Sequence, residues 1–568
     1  MVPVLTKALE SVKVFANNTP SVRDLARGRR RQFDDVECVL PSRVVTTESL
    51  SATVSVWDEY LRLLPDYDGT LAVDSTDPEA IHPEEIDFEL TDEAVTELSG
   101  VAFETPGVQY LTLTPVDERG TEVGPRFTSN PVQVFDTEPD RRLYWGDIHL
   151  HSQFSDGAGS MSKGFEFGRD VMDLDVAAYT DHDTMGFFIP PKLQRRRMHN
   201  GHFEAMKSVT SHFHDPGEFV TLFGYEWTKQ PNMGGHINVY FEGVEEAELF
   251  DSLDVDTNRY EKLFRRLQEW RAETGNEVLA IPHHPAEAMY PLDFSAMEYD
   301  DDIAPLVEVY SQWGSSELPG DEGNPKPVQM GQGEMGEPGH YVQDAHELGY
   351  RVGMMGSSDF HAPRPGRSHI HLPPHLPSLA DIWEDGIGWG HIWRIWDEGS
   401  YPGGLTGFYA EDLSRESIFE SLRSRRVYAT SQPHRILAEF AVDGTEVGEA
   451  DSTVVADGER TVEWLVAGTA PIERVTVVKN NADWHVVGGT TDESAALDAY
   501  TEAGEVVDDE PVTGMAWDAG RTSASEPSVA SAPDDDERGS DADVYYLRVE
   551  QADDGMAWAG PLWVEPGA

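Results

Sequence analysis

The sequence predicts a multidomain protein of α/β plus β class, in which an α/β unit is flanked on each side by a β-sandwich. Three observations carry this. The chain has 568 residues, and at about 150 residues per domain that exceeds a single lobe. Residues 51–135 and those after 435 carry short runs of alternating polarity separated by turn residues, the period of strands with one buried face. Between them, apolar strand-like runs alternate with amphipathic segments of helical period, the mark of an α/β domain.

In chain order, residues 1–45 read as an N-terminal arm and 46–140 as a small β-sandwich, with strands at 108–114 and 132–135. The α/β unit spans 141–434. Its clearest helix is 260–273, where Tyr260, Leu263, Phe264, Leu267 and Trp270 follow the 3.6-residue period and Gly275 supplies the stop. Residues 435–568 form a second β-sandwich, with strands at 436–442, 461–467, 475–478, 544–549 and 562–565. Within it, 501–542 is rich in Ser, Asp, Glu, Ala and Pro and reads as a disordered acidic insertion. There is no internal repeat.

A content of 39% hydrophobic residues, with 23 Phe, 19 Tyr and 14 Trp, supplies packed cores and excludes wholesale disorder. The lone Cys38 excludes an intrachain disulfide framework and any cysteine-held zinc module. Any metal must be held by His and carboxylates. No apolar run of about 18 residues exists, and residues 1–31 lack the apolar stretch of a secretory signal, so a cytoplasmic protein that engages no membrane is expected. The 104 acidic and 42 basic residues give a formal net charge of −62. Such a surface repels nucleic acid, whose phosphates are bound by Lys and Arg. The acid is spread over every segment, and Lys is scarce beside Arg, 9 against 33. This resembles the surface of proteins from salt-loving archaea, and a halophilic, haloarchaeon-like source is expected.

In the α/β unit, residues of metal-binding type follow apolar strands in order. Residues 143–148 lead into His149 and His151, which at i and i+2 on a strand share a face. Asp156 comes five residues later. Residues 176–180 deliver Asp181, His182 and Asp183; 219–225 deliver Glu226; His236 opens another strand; 278–282 deliver His283 and His284; 352–358 deliver Asp359 and His361. In barrels of parallel strands, function gathers at the C-terminal strand ends, and these residues fall there. Singly each is weak. Together they exceed the needs of one ion, and about two to three divalent ions are expected.

The series HxH–x4–D, TDHD, a Glu after a strand, a His, PHH and DxH closely resembles the PHP (polymerase and histidinol phosphatase) superfamily. The phrases Trp145-Gly146-Asp147-Ile148-His149-Leu150-His151-Ser152, Gly224-Tyr225-Glu226-Trp227-Thr228 and Gly356-Ser357-Ser358-Asp359-Phe360-His361 resemble its branch named only as a domain of unknown function, DUF 3604. So do Arg426-Val427-Tyr428-Ala429-Thr430 and Ala557-Trp558-Ala559-Gly560-Pro561-Leu562-Trp563-Val564. The resemblance runs from roughly Leu111 to the C-terminus. It implies a distorted seven-stranded β/α (TIM-like) PHP barrel over 141–434 with a trinuclear site. One ion would be held by His149, His151, Glu226 and Asp359. A second would lie between Glu226, His236 and His283, with Glu226 as the bridge, and a third between Asp156, His182 and His361. His284 competes with His283: other branches have His-Pro there, whereas distance from the strand end favours His283. Zn, Mn or Fe would suit these ligands.

The activity implied is that of a metal-dependent hydrolase, with a phosphoester favoured and a metal-bound hydroxide attacking near Glu226 and Asp359. Asp183 is the candidate general acid or base. Arg364 and Arg367, directly after the last ligands, are candidates to clamp the phosphate of a small anionic substrate; a loop ion pair is the competing reading. An amide or carboxylic ester is the alternative scissile bond, and a metal-stabilised binding protein is the alternative from another class. Glu308, Ser311 and Glu317 either line the pocket or serve the fold. His202, His212 and His214 read as surface or loop histidines. Residues 314–339, rich in Gly and Pro, read as a lid or a passive loop, and Trp383, Trp389, Trp393 and Trp396 as a cap over the pocket or an interdomain seam.

The charge makes a prediction of its own. Molar salt shortens the Debye length to about 3 Å and screens self-repulsion, so the thermal midpoint should rise substantially from dilute buffer to molar KCl. A flat or falling midpoint would contradict this.

Overall fold

A computed structural model describes residues 33–58, 63–64, 67–89, 94–186, 188–368, 401–431, 435–456, 458–517 and 539–567. Most of the expected arm, the four tryptophans at 383–396 and residues 518–538 of the expected insertion lie outside these.

The N-terminal unit begins earlier than composition suggests. Phe33–Val39 is a strand, antiparallel to Leu50–Asp58, which pairs in turn with Val95–Val101. Acids mask its pattern: Asp35 and Glu37 alternate with the buried Val36 and Cys38, so the period is two although the mean polarity is high. Two further small sheets, one containing Val132–Phe135 and the other Leu111–Val116, close over a core of Val36, Val54, Leu71, Leu98, Phe103, Leu113 and Val134.

The central unit is built on seven strands: β1 (Arg142–Asp147), β2 (Val176–Tyr179), β3 (Val220–Thr228), β4 (His236–Phe241), β5 (Val278–His283), β6 (Leu306–Ser311) and β7 (Gly353–Gly356). Strands β1, β2 and β3 run parallel, as do β5, β6 and β7, but β4 is antiparallel to both of its neighbours. The segments that follow β1 and β7 meet at a parallel bridge between Leu150 and Phe360. Asp147 reinforces that meeting by accepting from Ser358 N at 3.1 Å and Ser358 Oγ at 2.6 Å. A regular TIM barrel, in which every strand is parallel and followed by its own helix, is not shown by the described residues, since β4 is antiparallel to both of its neighbours. The short turn between β3 and β4 leaves no room for a crossover, so the pair can only be antiparallel. The helix Tyr260–Thr274 buries Leu263, Phe264, Leu267 and Trp270, and Gly275 closes it in the left-handed conformation at φ 74°, as its sequence predicts.

The C-terminal unit shares the central sheet. Strand β1 also pairs with Thr406–Ala410, which pairs with Val427–Thr430, which pairs with Met556–Pro566. From there the sheet continues through Asp543–Gln551, Ile472–Lys479 and Ala482–Gly488. A second sheet orders Thr445–Glu446, Leu437–Val442, Arg460–Ala467 and Thr501–Asp508. The last strand occupies the start of the expected disordered insertion: Thr501–Asp508 pairs along all eight residues with Arg460–Ala467. A buried ion cluster pins its end. Arg460 Nη2 lies 2.8 Å from Asp508 and 3.0 Å from Asp543, and Lys479 Nζ lies 2.7 Å from Asp508. Among the described residues no helix is long and apolar enough to cross a membrane.

Removing one partner of a buried charge cluster is costly because the others stay buried without it. Arg460→Ala should lower the free energy of unfolding by about 3–5 kcal/mol in denaturant titrations, whereas Glu463→Ala, on the exposed face of the same strand, should change it by less than about 0.5 kcal/mol. Equal small effects would show that the cluster does not hold the strand.

Candidate metal centre

The ends of β1, β3, β5 and β7 and the start of β4 converge on one buried group of side chains. All nine residues expected to hold metal are in it, each buried: His149, His151, Asp156, His182, Glu226, His236, His283, Asp359 and His361. Glu226 sits at the centre. Its Oε2 lies 2.8 Å from His182 Nδ1, 3.2 Å from His151 Nε2 and 3.6 Å from His149 Nε2, and its Oε1 lies 2.9 Å from His236 Nδ1. Asp359 is the second hub, with Oδ1 at 2.8 Å from His151 Nε2 and 3.3 Å from His149 Nε2, and Oδ2 at 3.0 Å from His283 Nε2. Asp156 Oδ1 lies 3.5 Å from His361 Nε2 and 3.6 Å from His182 Nε2.

These atoms form overlapping groups whose ligand atoms lie within 4.8 Å of one another. His149, His151 and Glu226 make one, with Asp359 joined through His149 and His283; His151, Asp156, His182 and His361 make another. The expected triple of Glu226, His236 and His283 does not gather as a unit. Glu226 and His236 group with His182, and His236 and His283 group with His284. Both residues of the His283-His284 pair thus enter the centre. His284, at φ 34°, and Asp359, at φ 50°, hold left-handed backbones, a conformation that costs about 1–3 kcal/mol at a residue with a side chain and clusters at functional sites.

The donor set fits divalent metal. Both carboxylate oxygens of Glu226, Asp359 Oδ1, His151 Nδ1, both ring nitrogens of His283 and His284 Nδ1 are buried without a hydrogen bond. Orphaned polar atoms in such number are rare in a folded interior. Ligand atoms bonded to one ion at about 2.1 Å lie roughly 3.0–3.4 Å apart in tetrahedral or octahedral geometry, and the spacings of 2.8 Å to 3.6 Å around Glu226 and Asp359 bracket that range.

A further layer orients the ligands. Glu308 Oε2 accepts from His149 Nδ1 at 2.8 Å, and Glu308 Oε1 lies 3.4 Å from His283 Nδ1. His361 Nδ1 donates to Asp359 O at 2.9 Å, which leaves Nε2 for a metal. The Trp313 indole N–H donates to Asp359 Oδ2. Asp181 accepts from the backbone and hydroxyl of both Ser152 and Ser155, fixing the loop between His151 and Asp156.

Protonation follows from these contacts. Burial disfavours the charged form of His151, but the Asp359 and Glu226 carboxylates outweigh it and push its pKa up to about 10. His149 is raised likewise, against burial, by Glu308 and Asp359. Burial pulls His361 down to about 4 and lowers His236 and His284, so these imidazoles are neutral donors at neutral pH. Burial opposes charge on Glu226 and Asp359, yet the surrounding imidazoles hold both well below the ordinary carboxylate range.

Other candidates lie elsewhere. Successive residues of an extended segment point to opposite sides, so His182 enters the centre while Asp183 turns away. Its carboxylate accepts from Thr228 N at 3.0 Å and Ser252 N at 2.6 Å, and burial pushes its pKa up to about 7. Arg367 is no phosphate clamp: it is buried, pairs with Glu37 at 2.7 Å and Asp35 at 2.9 Å, and lies over the Trp57 ring. Its loop-ion-pair reading holds, with the partners supplied by the N-terminal unit. Glu317 accepts from Tyr546, Arg548 and Trp558 and is a tie to the C-terminal unit. Ser311 Oγ accepts from Trp313 N at 3.3 Å. His202 Nδ1 bonds Phe154 O at 3.1 Å, and His212 is exposed. Arg364 is half-buried on the loop after His361.

A family model described as "Protein of unknown function (DUF3604)" matches residues 166–317 and 341–461. These segments include every expected ligand except His149, His151 and Asp156. Uncharacterized proteins of Chlamydia muridarum and Chlamydia trachomatis are 24% and 23% identical to the chain, each over 94% of it and 75% of their own length. Their bacterial source lends no support to a salt-loving archaeal origin; the charge of −62 stands by itself. Among solved structures, a two-domain protein from Bacteroides vulgatus, described as containing a predicted PHP-like metal-dependent phosphoesterase, is 14% identical. The match covers 75% of this chain and 98% of that one, at a TM-score of 0.33.

A ligand must shed its proton to bind metal. Because His149 and His151 hold protons above neutrality, loading metal-free protein with Mn or Zn at pH 7–8 should release protons, and apparent affinity should rise with pH toward about 10. Calorimetric titration in buffers of different ionisation enthalpy measures the release, and elemental analysis should count about two to three ions per chain, with at least one lost in His149→Ala. Zero proton release with pH-independent affinity from pH 6 to 9 would contradict the assignment.

Proposed function

We propose that the chain is a metal-dependent hydrolase of phosphoesters, of PHP type, using a di- or trinuclear centre. The observation that carries this reading is the convergence of nine buried His, Asp and Glu side chains with their hydrogen-bonding capacity left open toward one another. Divalent ions bound there would supply Lewis acidity, lowering the pKa of a water and offsetting charge on a phosphoryl group. The protein's part is to hold and orient. Glu226 presents one carboxylate oxygen to His182, just after β2, and the other to His236, on β4. Glu308 holds the His149 tautomer, and the Trp313 indole together with the backbone turn at φ 50° fixes Asp359. Burial of every ligand excludes bulk water, which strengthens the electrostatic interactions within.

Asp183 has no part in this reading, since both its oxygens are engaged by backbone donors. Arg364 is retained as a contact for an anionic substrate because it follows Asp359 and His361 closely in sequence on a loop where it is half-buried. A carboxylic ester or amide substrate would use the same centre and is the second reading, because the metal ligands alone do not select phosphorus over carbon.

Glu226→Gln removes charge from the middle of the centre while nearly preserving shape. It should lose at least one ion and lower turnover by about 10²-fold or more. Elemental analysis paired with hydrolysis of phosphomonoesters, phosphodiesters and carboxylic esters tests this. Hydrolysis unchanged in metal-depleted Glu226→Gln would assign the activity to a contaminant and refute the proposal.

A further inference from the structure

Beside the metal ligands stands an aromatic hydroxyl that none of the contacts above uses. Tyr290 follows His283 and His284 by one loop, and its ring lies 4.3 Å from the His236 ring and 6.1 Å from that of His284. Its side chain is half-buried. Among the described residues its hydroxyl has no hydrogen-bond partner, and because the side chain is only half-buried that hydroxyl is left open to solvent or a ligand.

The loop that carries Tyr290 is held from several sides. Glu287 Oε2 accepts from Met289 N at 2.8 Å and Tyr290 N at 2.7 Å. Asn232 N donates to Met289 O at 2.6 Å, which ties this loop to the one leading into His236. Gly235, just before His236, approaches so closely that a Cβ there would lie 2.9 Å from Tyr290 O and 3.2 Å from Leu292 Cβ. The Tyr260 hydroxyl accepts from Gly235 N and donates to Pro291 O at 3.4 Å, clamping the two loops together. A phenol holds its proton at neutral pH, so the group is a donor, and the packing of its ring on His236 puts it at the edge of the centre.

We infer that Tyr290 is a catalytic residue whose hydroxyl donates a hydrogen bond to a non-bridging oxygen of the substrate's phosphoryl group. The inference rests on the phosphoester reading and deepens it by adding a neutral donor to a centre otherwise made of metal ligands. A donor fixed in place before substrate arrives stabilises charge developing on that oxygen without reorganisation, which is where hydrogen bonds contribute most to rate. The phenol keeps its proton throughout, so no bond to it forms or breaks. The Tyr290 ring, packed on His236, is at the same time a wall of the site.

Tyr290→Phe separates the hydroxyl from the ring. In the metal-loaded full-length chain with p-nitrophenyl phosphate, this variant should keep its metal content and thermal midpoint. Its kcat should fall about 10²-fold with KM changed far less, and its dissociation constant for inorganic phosphate, measured by calorimetry, should rise about fivefold to tenfold. Wild-type kcat and phosphate affinity in Tyr290→Phe, with Tyr290→Ala defective, would overturn the inference and leave only a packing role for the ring. Wild-type protein that holds its metals yet neither binds phosphate nor hydrolyses any phosphoester would instead overturn the phosphoester reading itself, and this inference with it.

Discussion

One buried carboxylate, Glu226, sets the terms for the centre of this protein. It is buried completely and has four imidazole nitrogens within 3.6 Å of its oxygens. A carboxylate taken out of water without compensation costs several kcal/mol, so the interior must supply positive charge. Protons on His149 and His151 supply part of it in the metal-free protein, which is why both imidazoles are raised against the pull of burial. Divalent cations would supply it more completely, because they would also satisfy the oxygen and nitrogen atoms that lack hydrogen bonds. The strand that carries Glu226 is buried along all nine of its residues, and its partners β2 and β4 bring His182 and His236 to the two carboxylate oxygens.

The rest of the fold braces this arrangement from both ends. Arg367 follows the last ligands, but its guanidinium leaves the centre to reach Asp35 and Glu37 of the N-terminal unit. Glu317 follows β6, and its carboxylate leaves in the other direction, to Tyr546, Arg548 and Trp558 of the C-terminal unit. Two charged residues close in sequence to the site are thus structural ties. Because the central sheet runs on into the C-terminal strands through Met556–Pro566, the C-terminal unit is continuous with the framework that positions the ligands.

Much of the centre was legible in the sequence, for a physical reason. Metal ligands are short-range features: each is one residue of a given type at the end of an apolar strand, and all nine expected ligands meet in space. What depends on long-range packing was not legible. The alternation that sends His182 inward and Asp183 outward is local, but only the partners of Asp183, Thr228 and Ser252, show that its carboxylate is consumed by the backbone. Glu308 was left open between pocket and fold, and its contact with His149 across 159 positions resolves it as a ligand-orienting residue. Trp313 and Tyr290 carried no motif. The antiparallel β4 was hidden because a strand's direction leaves no trace in its own polarity pattern. Composition misled at Phe33–Val39, where Asp35 and Glu37 alternate with the buried Val36 and Cys38, and at Thr501–Asp508, where Glu505 is exposed but Asp508 is buried in the ion cluster with Arg460 and Lys479.

The central claim is that this buried cluster is a metal centre built around Glu226. Anomalous diffraction at the absorption edge of the bound metal, from crystals of protein loaded with Mn or Zn, tests it most directly. The account predicts about two to three peaks, at least one of them within bonding distance of Glu226 and the others among His149, His151, Asp156, His182, His236, His283, Asp359 and His361. Peaks confined to surface carboxylates, or a loaded protein with no peak in the cluster, would contradict it.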